Sequence, residues 1–440
     1  MAPSFLQVLL SLLAGISLIV VLTARLKVHP FFALLLASGV VGLGVQLPLP
    51  DIITAAKDGF GNILKSLGFI IVLGTALGVI LERNGSTQVM ANYILKKIGD
   101  RYPALAMSII GFVVGLPIFC DSGFIVLSGL NVTLAKRTGT RVIVMAVSMA
   151  TGLYAVHCLI PPHPGAAAAA GMMDVPFGKL IITGILVGIP AMLVGYLYAG
   201  YAGNRVSEQV KETTEEIKNS ATITYPSVFR AFLPVLVPII LIAGRSVFEN
   251  TLTGNWQILT LLGDPVMALS VGVLLALSGR SIPGKAINQW LQEAVEKAGG
   301  ILVIIGAGGA FGAVLAATHI GQHLSESLPL ATMGIFFPFL LTSFLKTAQG
   351  SSTVAIITAA SIIQPLLHQL GFDTPDQRLY CVLAMGAGSM MISHANDAYF
   401  WVIAKFEKID MSPMLKVYSV ATLLMGLTTI GVVYVLTLFR

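Results

Sequence analysis

Long apolar runs separated by short polar segments recur along the whole 440-residue chain. Many of them reach the roughly 17 residues that a helix needs to cross a bilayer core. The strict alternation of apolar and polar positions that marks a membrane β-barrel is absent from the sequence. The pattern therefore predicts ten full helical spans, at about 5–24, 29–48, 66–82, 140–175, 177–201, 228–244, 258–278, 298–317, 379–404 and 414–437.

Two further apolar stretches are interrupted at their middle by polar and helix-breaking residues. One runs over about 102–137 and is broken at 117–123, and the other runs over about 328–368 and is broken at 346–353. Polar backbone at membrane depth is tolerated only where it is buried in protein or lines a wet cavity. We therefore predict two re-entrant hairpins, each made of two half-length helices with a polar tip near the midplane.

An internal repeat divides the chain into two halves. The tip at Asp121 aligns with the tip at Ser351, and Gly152 aligns with Gly388. Each half contains three spans, a hairpin and two further spans, so five crossings invert the second half relative to the first. Inverted repeats with broken helices at the midplane are typical of secondary transporters.

The predicted fold is an all-α polytopic membrane protein with two inverted repeats, each of five transmembrane helices and one re-entrant hairpin. The predicted boundaries are 1–202 for the first repeat, 203–227 for a cytoplasmic linker and 228–440 for the second repeat, with broken helices at about 140–175 and 379–404. If the loop with Arg25 and Lys27 is cytoplasmic, most basic residues face the cytoplasm, in keeping with the positive-inside rule. Both termini are then external. An amphipathic segment at 87–97 and a counterpart near 320–328 are expected at the membrane interface.

Composition excludes several other classes of protein. The chain is 56% hydrophobic and only 10% charged, which suits neither a soluble domain nor a disordered chain. The net charge of +6 comes from scattered loop residues and predicts no nucleic-acid partner. Its three cysteines form no CxxC motif, and HExxH, GxSxG and Walker A motifs are absent. The glycine-rich segment 306–312 loosely matches a dinucleotide fingerprint, but close helix packing explains it better. We predict a non-enzyme without a cofactor or metal.

Polar residues at four breaks, at 121–123, 157–165, 346–353 and 393–397, form the candidate binding site. Ionisable groups at membrane depth are costly unless they are paired or in contact with water, so each of them is a candidate functional residue. Serines at the hairpin tips, Ser122 and Ser351 or Ser352, are placed to cap new helices whose positive N-termini suit a small anion. The neutral polar side chains suit hydroxyl groups, so the predicted ligand is a small carboxylate with a hydroxylated tail. The predicted substrate-binding residues are Asp121, Ser122, Gly123, His157, His163, Lys346, Thr347, Gln349, Gly350, Ser351, Ser352, Thr353, Ser393, His394 and Asn396.

Proton coupling is predicted to use the acids Asp121 and Asp397, which we expect to be buried, with His163 and His394 as alternatives. Lys346 is expected to hold either the substrate carboxylate or one of these acids. Sodium coupling through freed carbonyls with the serine and asparagine residues is the alternative. From other classes of protein, an anion channel and an intramembrane hydrolase are the competing interpretations.

The breaks contain four motifs: Gly115-Leu-Pro-Ile-Phe-Cys-Asp-Ser-Gly-Phe-Ile-Val, His157-Cys-Leu-Ile-Pro-Pro-His-Pro-Gly, Thr347-Ala-Gln-Gly-Ser-Ser-Thr-Val-Ala and Ser393-His-Ala-Asn-Asp-Ala-Tyr-Phe-Trp. In these motifs the chain resembles the gluconate permease family of proton symporters, and the similarity covers essentially the whole chain. One departure is Ala166, where the family pattern would place a second proline after His-Pro-Gly.

The resemblance implies proton-driven uptake of gluconate or a relative across a bacterial inner membrane. Members that transport idonate, fructuronate, glycerate or D-serine leave the substrate open. The wider ion-transporter superfamily implies a homodimer in which a block carrying the hairpins moves past a scaffold.

Overall fold

The computed structural model describes residues 5–99, 101–206, 225–248, 257–278, 282–319 and 332–439, and within these ranges it is helical without strands. The predicted all-α fold is confirmed. Most of the predicted linker and the expected interfacial segment near 320–328 lie outside the described residues, as do the outermost residues of both termini.

The described part of the first half contains nine α-helices: α1 Phe5–Val20, which continues into a π-helical segment Val21–Arg25, α2 Pro30–Gly44, α3 Leu49–Arg83, α4 Ser86–Ile98, α5 Pro103–Gly115, α6 Cys120–Thr138, α7 Val142–Leu159, α8 Pro164–Met172 and α9 Phe177–Gly203. The described part of the second half contains α10 Val228–Phe248, α11 Gln257–Leu262, α12 Pro265–Leu277, α13 Gly284–Ala317, α14 Phe336–Gln349, α15 Ser352–Ile363, α16 Pro375–Met390, α17 Ala398–Phe406 and α18 Met411–Leu438. A π-helical segment, Leu415–Ser419, interrupts α18 near its start.

Seven helical segments of the described chain are long and apolar enough to cross a membrane. The protein is therefore a multi-pass membrane protein. The spans expected at 29–48 and 258–278 are shorter helices, α2 and α12. In contrast, α3 and α13 begin well before the expected spans, at Leu49 and Gly284. Their charged residues do not end the helices, because lysine and glutamate are good helix formers and can direct their charged ends toward water.

Helices α3 and α13 cross in backbone contact. A Cβ atom added to Gly59 would lie 2.3 Å from the carbonyl oxygen of Gly309, and one added to Gly309 would lie 2.6 Å from that of Gly59. No residue larger than glycine fits at this crossing without displacing a helix. The glycine-rich segment 306–312 is therefore a packing surface.

Each hairpin packs its first arm on the broken helix of its own half. In the first half, a Cβ on Gly152 of α7 would lie 2.2 Å from the carbonyl oxygen of Ser108 on α5. In the second half, a Cβ on Gly388 of α16 would lie 2.4 Å from the carbonyl oxygen of Phe339 on α14. The two glycines that the repeat aligns thus make the same kind of contact.

The second arms pack on their own half and also contact the broken helix of the opposite half. Helix α15 of the second hairpin packs against α8 of the first broken helix, where Gly165 lies against Ile356. Helix α6 of the first hairpin packs against α17 of the second broken helix, where the ring centroids of Phe124 and Tyr399 are 6.1 Å apart. These contacts place each hairpin against the helix break of the opposite half.

Candidate substrate site at the helix breaks

Both broken helices restart at a residue that contacts the hairpin of its own half. His163 is the N-cap of α8, and its Nε2 lies 2.8 Å from the carbonyl oxygen of Gly115, the last residue of α5. Asp397 is the N-cap of α17, and its Oδ2 lies 3.0 Å from Nζ of Lys346 in the last turn of α14. In each half, the N-cap side chain after the break therefore contacts the last turn of the hairpin's first arm. The contact is a hydrogen bond to a carbonyl oxygen in the first half and an ion pair in the second.

The pair Lys346–Asp397 is removed from solvent, with 0% and 8% of the two side chains exposed. Asp397 Oδ1 accepts a hydrogen bond from the backbone N–H of Tyr399, which caps α17. Asp397 Oδ2 accepts from both the Lys346 ammonium and the Ser393 hydroxyl. Of the two roles expected for Lys346, the structure gives the pairing with an acid.

Helix α18 holds Ser393 in this network. The backbone N–H of Ser393 donates to Thr422 Oγ1 at 3.0 Å, and the Ser419 hydroxyl donates to the Ser393 carbonyl oxygen. Ser419 ends the π-helical segment, and such single π turns are frequent at functional sites. Sequence analysis missed Ser419 and Thr422, since nothing in the pattern predicts a π turn within α18.

The second hairpin tip is fastened to the second break. The Asn396 Nδ2 group donates to the Thr347 carbonyl oxygen at 2.8 Å, and His394 Nε2 lies 3.2 Å from the same oxygen. Gly350 has φ of +86°, and a Cβ there would lie 2.2 Å from the Asn396 carbonyl oxygen. The expected N-cap Ser351 accepts a hydrogen bond from the backbone N–H of Val354. Helix α15 therefore begins directly beside the break.

Several buried polar atoms near the start of α15 have no hydrogen-bond partner in the described structure. They are Nδ1 of His157, both amide atoms of Gln349 and Oδ1 of Asn396. His157 Nε2 lies 3.3 Å from the Thr353 hydroxyl in the first turn of α15. Buried polar groups are rarely left unpaired. These atoms are therefore the best candidates for direct contact with a polar ligand.

The first tip differs from expectation in two respects. Helix α6 begins at Cys120 with Phe119 as its N-cap, so Ser122 lies in the first turn and is not the cap. Asp121 is exposed, because Gly123 and Phe124 occupy the face of α6 that packs inward. A hydrogen bond from Cys120 Sγ to Asp121 Oδ1, at 3.7 Å, is the contact that the structure gives for this carboxylate.

Three tyrosines that sequence analysis did not select pack around the breaks. Tyr154, Tyr399 and Tyr418 lie with ring centroids 5.8 to 6.4 Å from one another, and Tyr154 stacks on His157. The Tyr154 hydroxyl donates to the Ser389 carbonyl oxygen at 3.0 Å, which joins α7 to α16. Tyr399 lies in the first turn after the second break, where an aromatic residue with a polar end could have been identified from sequence, whereas nothing in the local pattern singles out Tyr154 or Tyr418.

The site as a whole combines an anion-attracting helix start at α15, several unpaired hydrogen-bonding groups and an internally neutralised ion pair. Among the described residues no group of three or more His, Cys, Asp or Glu side chains could hold a metal ion. The arrangement therefore suits hydrogen bonding to a small polar anion.

The helical arrangement is similar to that of a solved transporter. The crystal structure of the Alcanivorax borkumensis YdaH transporter, described as having an unusual topology, matches with a TM-score of 0.65 over 93% of this chain and 98% of that chain. The sequence identity of 16% limits this likeness to the fold.

Relatives by sequence cover nearly the whole chain. A gluconate permease of Pseudomonas aeruginosa is 32% identical over 98% of this chain and 97% of its own length. The high-affinity gluconate transporter of Escherichia coli K12 is 31% identical over 92% and 93%, and the D-serine transporter DsdX of the same strain is 29% identical over 97% of both. Residues 7–439 match the family described as GntP family permease. The chain therefore belongs to the GntP permease family and is a membrane transporter rather than an enzyme.

Proposed function

We propose that this transporter imports gluconate or a closely related sugar acid by proton symport. The observation that carries the proposal is the set of unpaired buried atoms of His157, Gln349 and Asn396 around the start of α15. Gluconate offers one carboxylate to the helix N-terminus and five hydroxyls to these neutral groups. Relatives named as gluconate permeases support the same substrate.

A D-serine-like amino acid is the second candidate, because relatives named as D-serine transporters match over the same length. An ammonium group on the ligand would require an unpaired anion close to the site. Asp397 is already paired with Lys346, and the accessible acid is Asp121. The neutral character of the unpaired atoms therefore favours a hydroxylated tail over an ammonium.

We propose Asp121 as the leading proton carrier. Its carboxylate lies at a hairpin tip and has no ion-pair partner among the described residues. A carrier must lose and regain a proton as the site opens to each side, which an accessible carboxyl can do. Asp397 is less suited to this role, since its carboxylate is buried and already occupied by the Lys346 ammonium, the Ser393 hydroxyl and the Tyr399 N–H.

The direct test combines binding with transport. A titration of the purified protein with gluconate, D-serine and glycerate ranks the ligands, and tighter binding of D-serine than of gluconate would reverse the choice. Uptake into proteoliposomes is then driven by an imposed pH gradient without sodium. We expect accumulation of gluconate; its failure unless sodium is added would reject proton coupling. Equilibration without accumulation would instead indicate a channel.

Transport in this proposal moves the hairpins and broken helices, about 102–175 and 329–404, past a scaffold in a homodimer. Helices α9 and α18 belong with this block, since Gly195 lies against Thr151 and Gly426 against the Ala387 carbonyl oxygen. A small apolar cavity of about 30 Å³ lies between the first tip and break and helices α3, α9, α10 and α12.

Rocking of one half against the other is the alternative movement. Only sliding changes the depth of the first tip, so single cysteines at Ser122 and at Leu18 of α1 separate the two schemes. Cross-links from position 122 to scaffold positions at two depths, each trapping a different state, are expected for sliding. Cross-links at a single depth would favour rocking. A bacterial inner-membrane location with both termini external completes the proposal, and labelling of terminal cysteines in intact cells tests it.

A further inference from the structure

The second helix break contains the chemical groups of a small-cation site. A carboxylate and a hydroxyl, those of Asp397 and Ser393, meet there within the unwound segment 391–397 between α16 and α17. Oxygen ligands of this kind hold alkali and alkaline-earth cations in proteins, and broken helices of transporters supply them for sodium.

The position beside these oxygens is taken by the chain itself. The Lys346 ammonium lies 3.0 Å from Asp397 Oδ2, with the lysine side chain fully buried. The same carboxylate oxygen accepts from the Ser393 hydroxyl, and Thr422 and Ser419 of α18 fix Ser393 in place. A monovalent cation at the end of α14 therefore lies beside a carboxylate oxygen whose other partner, Ser393, is held by α18.

The corresponding place in the first half lacks both charges. The N-cap residue there is His163, which meets the carbonyl oxygen of Gly115 rather than an ammonium. A neutral hydrogen bond thus joins the first break to its hairpin without an ion pair. Joining a break to its hairpin therefore does not by itself require the charged pair at the second break.

We propose that the Lys346 ammonium takes the place of a sodium ion. The ammonium occupies the cation position beside Asp397 and Ser393, and transport is therefore independent of sodium. Removal of the ammonium leaves a buried carboxylate that a free sodium ion can neutralise. Lys346 is in this view a positioning residue that sets which ion the protein requires. The thermal-unfolding experiment below does not depend on the proposed function, whereas the uptake experiment rests on it.

The first experiment measures thermal unfolding of the full-length protein in detergent, with sodium chloride or choline chloride at equal ionic strength. We expect Lys346→Ala to unfold at least about 2 °C higher in sodium chloride, and the unmodified protein to show no difference. Addition of Ser393→Ala to Lys346→Ala should reduce the sodium effect. A Lys346→Ala/Asp397→Asn variant carries no buried charge and should show none.

Lys179→Ala is the matched control, because Lys179 also pairs with an aspartate, Asp376 at 2.8 Å, but at an exposed position. It should gain no sodium effect. Equal unfolding of Lys346→Ala in the two salts would overturn the proposal. The proposal would also be overturned if Lys346→Ala could not be recovered as a folded protein in either salt while Lys346→Ala/Asp397→Asn folds. Sodium would then fail to replace the ammonium.

The second experiment measures gluconate uptake into proteoliposomes at a fixed pH gradient, with and without an inward sodium gradient. We expect sodium to raise the uptake rate of Lys346→Ala several-fold and to leave that of the unmodified protein unchanged. Sodium dependence of the unmodified protein would reject the proposed proton symport. Sodium indifference of a variant that binds sodium would reject only the role in ion selection.

Discussion

Lys346 and Asp397 form a buried ion pair between helices that the chain separates by 51 positions. The pair joins the first arm of the second hairpin to the start of α17, at the point where the broken helix resumes. Ser393 shares the carboxylate, and α18 fixes Ser393. A single network therefore connects the hairpin, the helix break and the last helix of the protein.

The energetic coupling of this pair can be measured in sodium-free buffer. Lys346→Met leaves the Asp397 carboxylate buried and uncompensated, which is expected to lower the free energy of unfolding by about 3–5 kcal/mol. Lys346→Met/Asp397→Asn removes both charges and should be substantially more stable than the single variant. Denaturant titration of the three proteins gives the coupling energy. Additive losses would mean that the two side chains do not interact.

Gln349 is predicted to contact the substrate directly, because both of its amide atoms are buried and unpaired. Gln349→Leu should weaken gluconate binding by about 10-fold or more, with little loss of stability. Asn131→Leu in α6 is the matched control, since the amide atoms of Asn131 are also buried and unpaired but lie outside the proposed site. It should leave gluconate binding unchanged. Calorimetric titration of both variants separates the roles. Equal binding by Gln349→Leu and the unmodified protein would remove Gln349 from the site.

Gly350 is required for the contact between the second tip and the second break. Gly350→Ala places a methyl group in the space of the Asn396 carbonyl oxygen, at a left-handed φ that disfavours alanine by about 1–2 kcal/mol. We expect loss of uptake. Gly371→Ala, at φ of +77° with no atom near the added Cβ, carries the backbone cost alone and should retain uptake. Similar uptake by the two variants would show that the close approach at Gly350 is unimportant.

Asp121→Asn tests the proposed proton carrier. The amide cannot release a proton, so gradient-driven accumulation should disappear while exchange of internal for external gluconate continues. Asp174→Asn, which changes an exposed acid in the turn after α8, should leave both activities unchanged. Both activities are followed with radiolabelled gluconate in proteoliposomes. Undiminished accumulation by Asp121→Asn would exclude this residue as essential for coupling.

Gly152 and Gly388 test whether the two halves pack equivalently. Alanine at either position would meet a backbone carbonyl oxygen across a helix crossing, so each variant should be destabilised by about 1–3 kcal/mol. Gly200→Ala on α9 has open space around the added Cβ and should be neutral or slightly stabilising. Thermal unfolding compares the three. A large difference between Gly152→Ala and Gly388→Ala would argue against equivalent packing.

The sequence by itself determined the class of the protein and the places where its helices break. Apolar length determines which segments enter the bilayer, and proline, glycine and polar residues at 117–123, 157–165, 346–353 and 393–397 interrupt them, because these are local properties of the chain. The motifs at these breaks also carried the family resemblance. The local sequence pattern was sufficient to predict the class of protein, the helix breaks and the family.

Only the tertiary structure decided which polar residues are paired and which are left for a ligand. The pairing of Lys346 with Asp397 and the exposure of Asp121 depend on helix rotation and on contacts between distant segments. The contacts of α6 with α17 and of α15 with α8 likewise join helices from different halves of the chain. Such contacts leave no periodic trace in the sequence, since each residue at a break is polar whether it binds its own chain or a substrate.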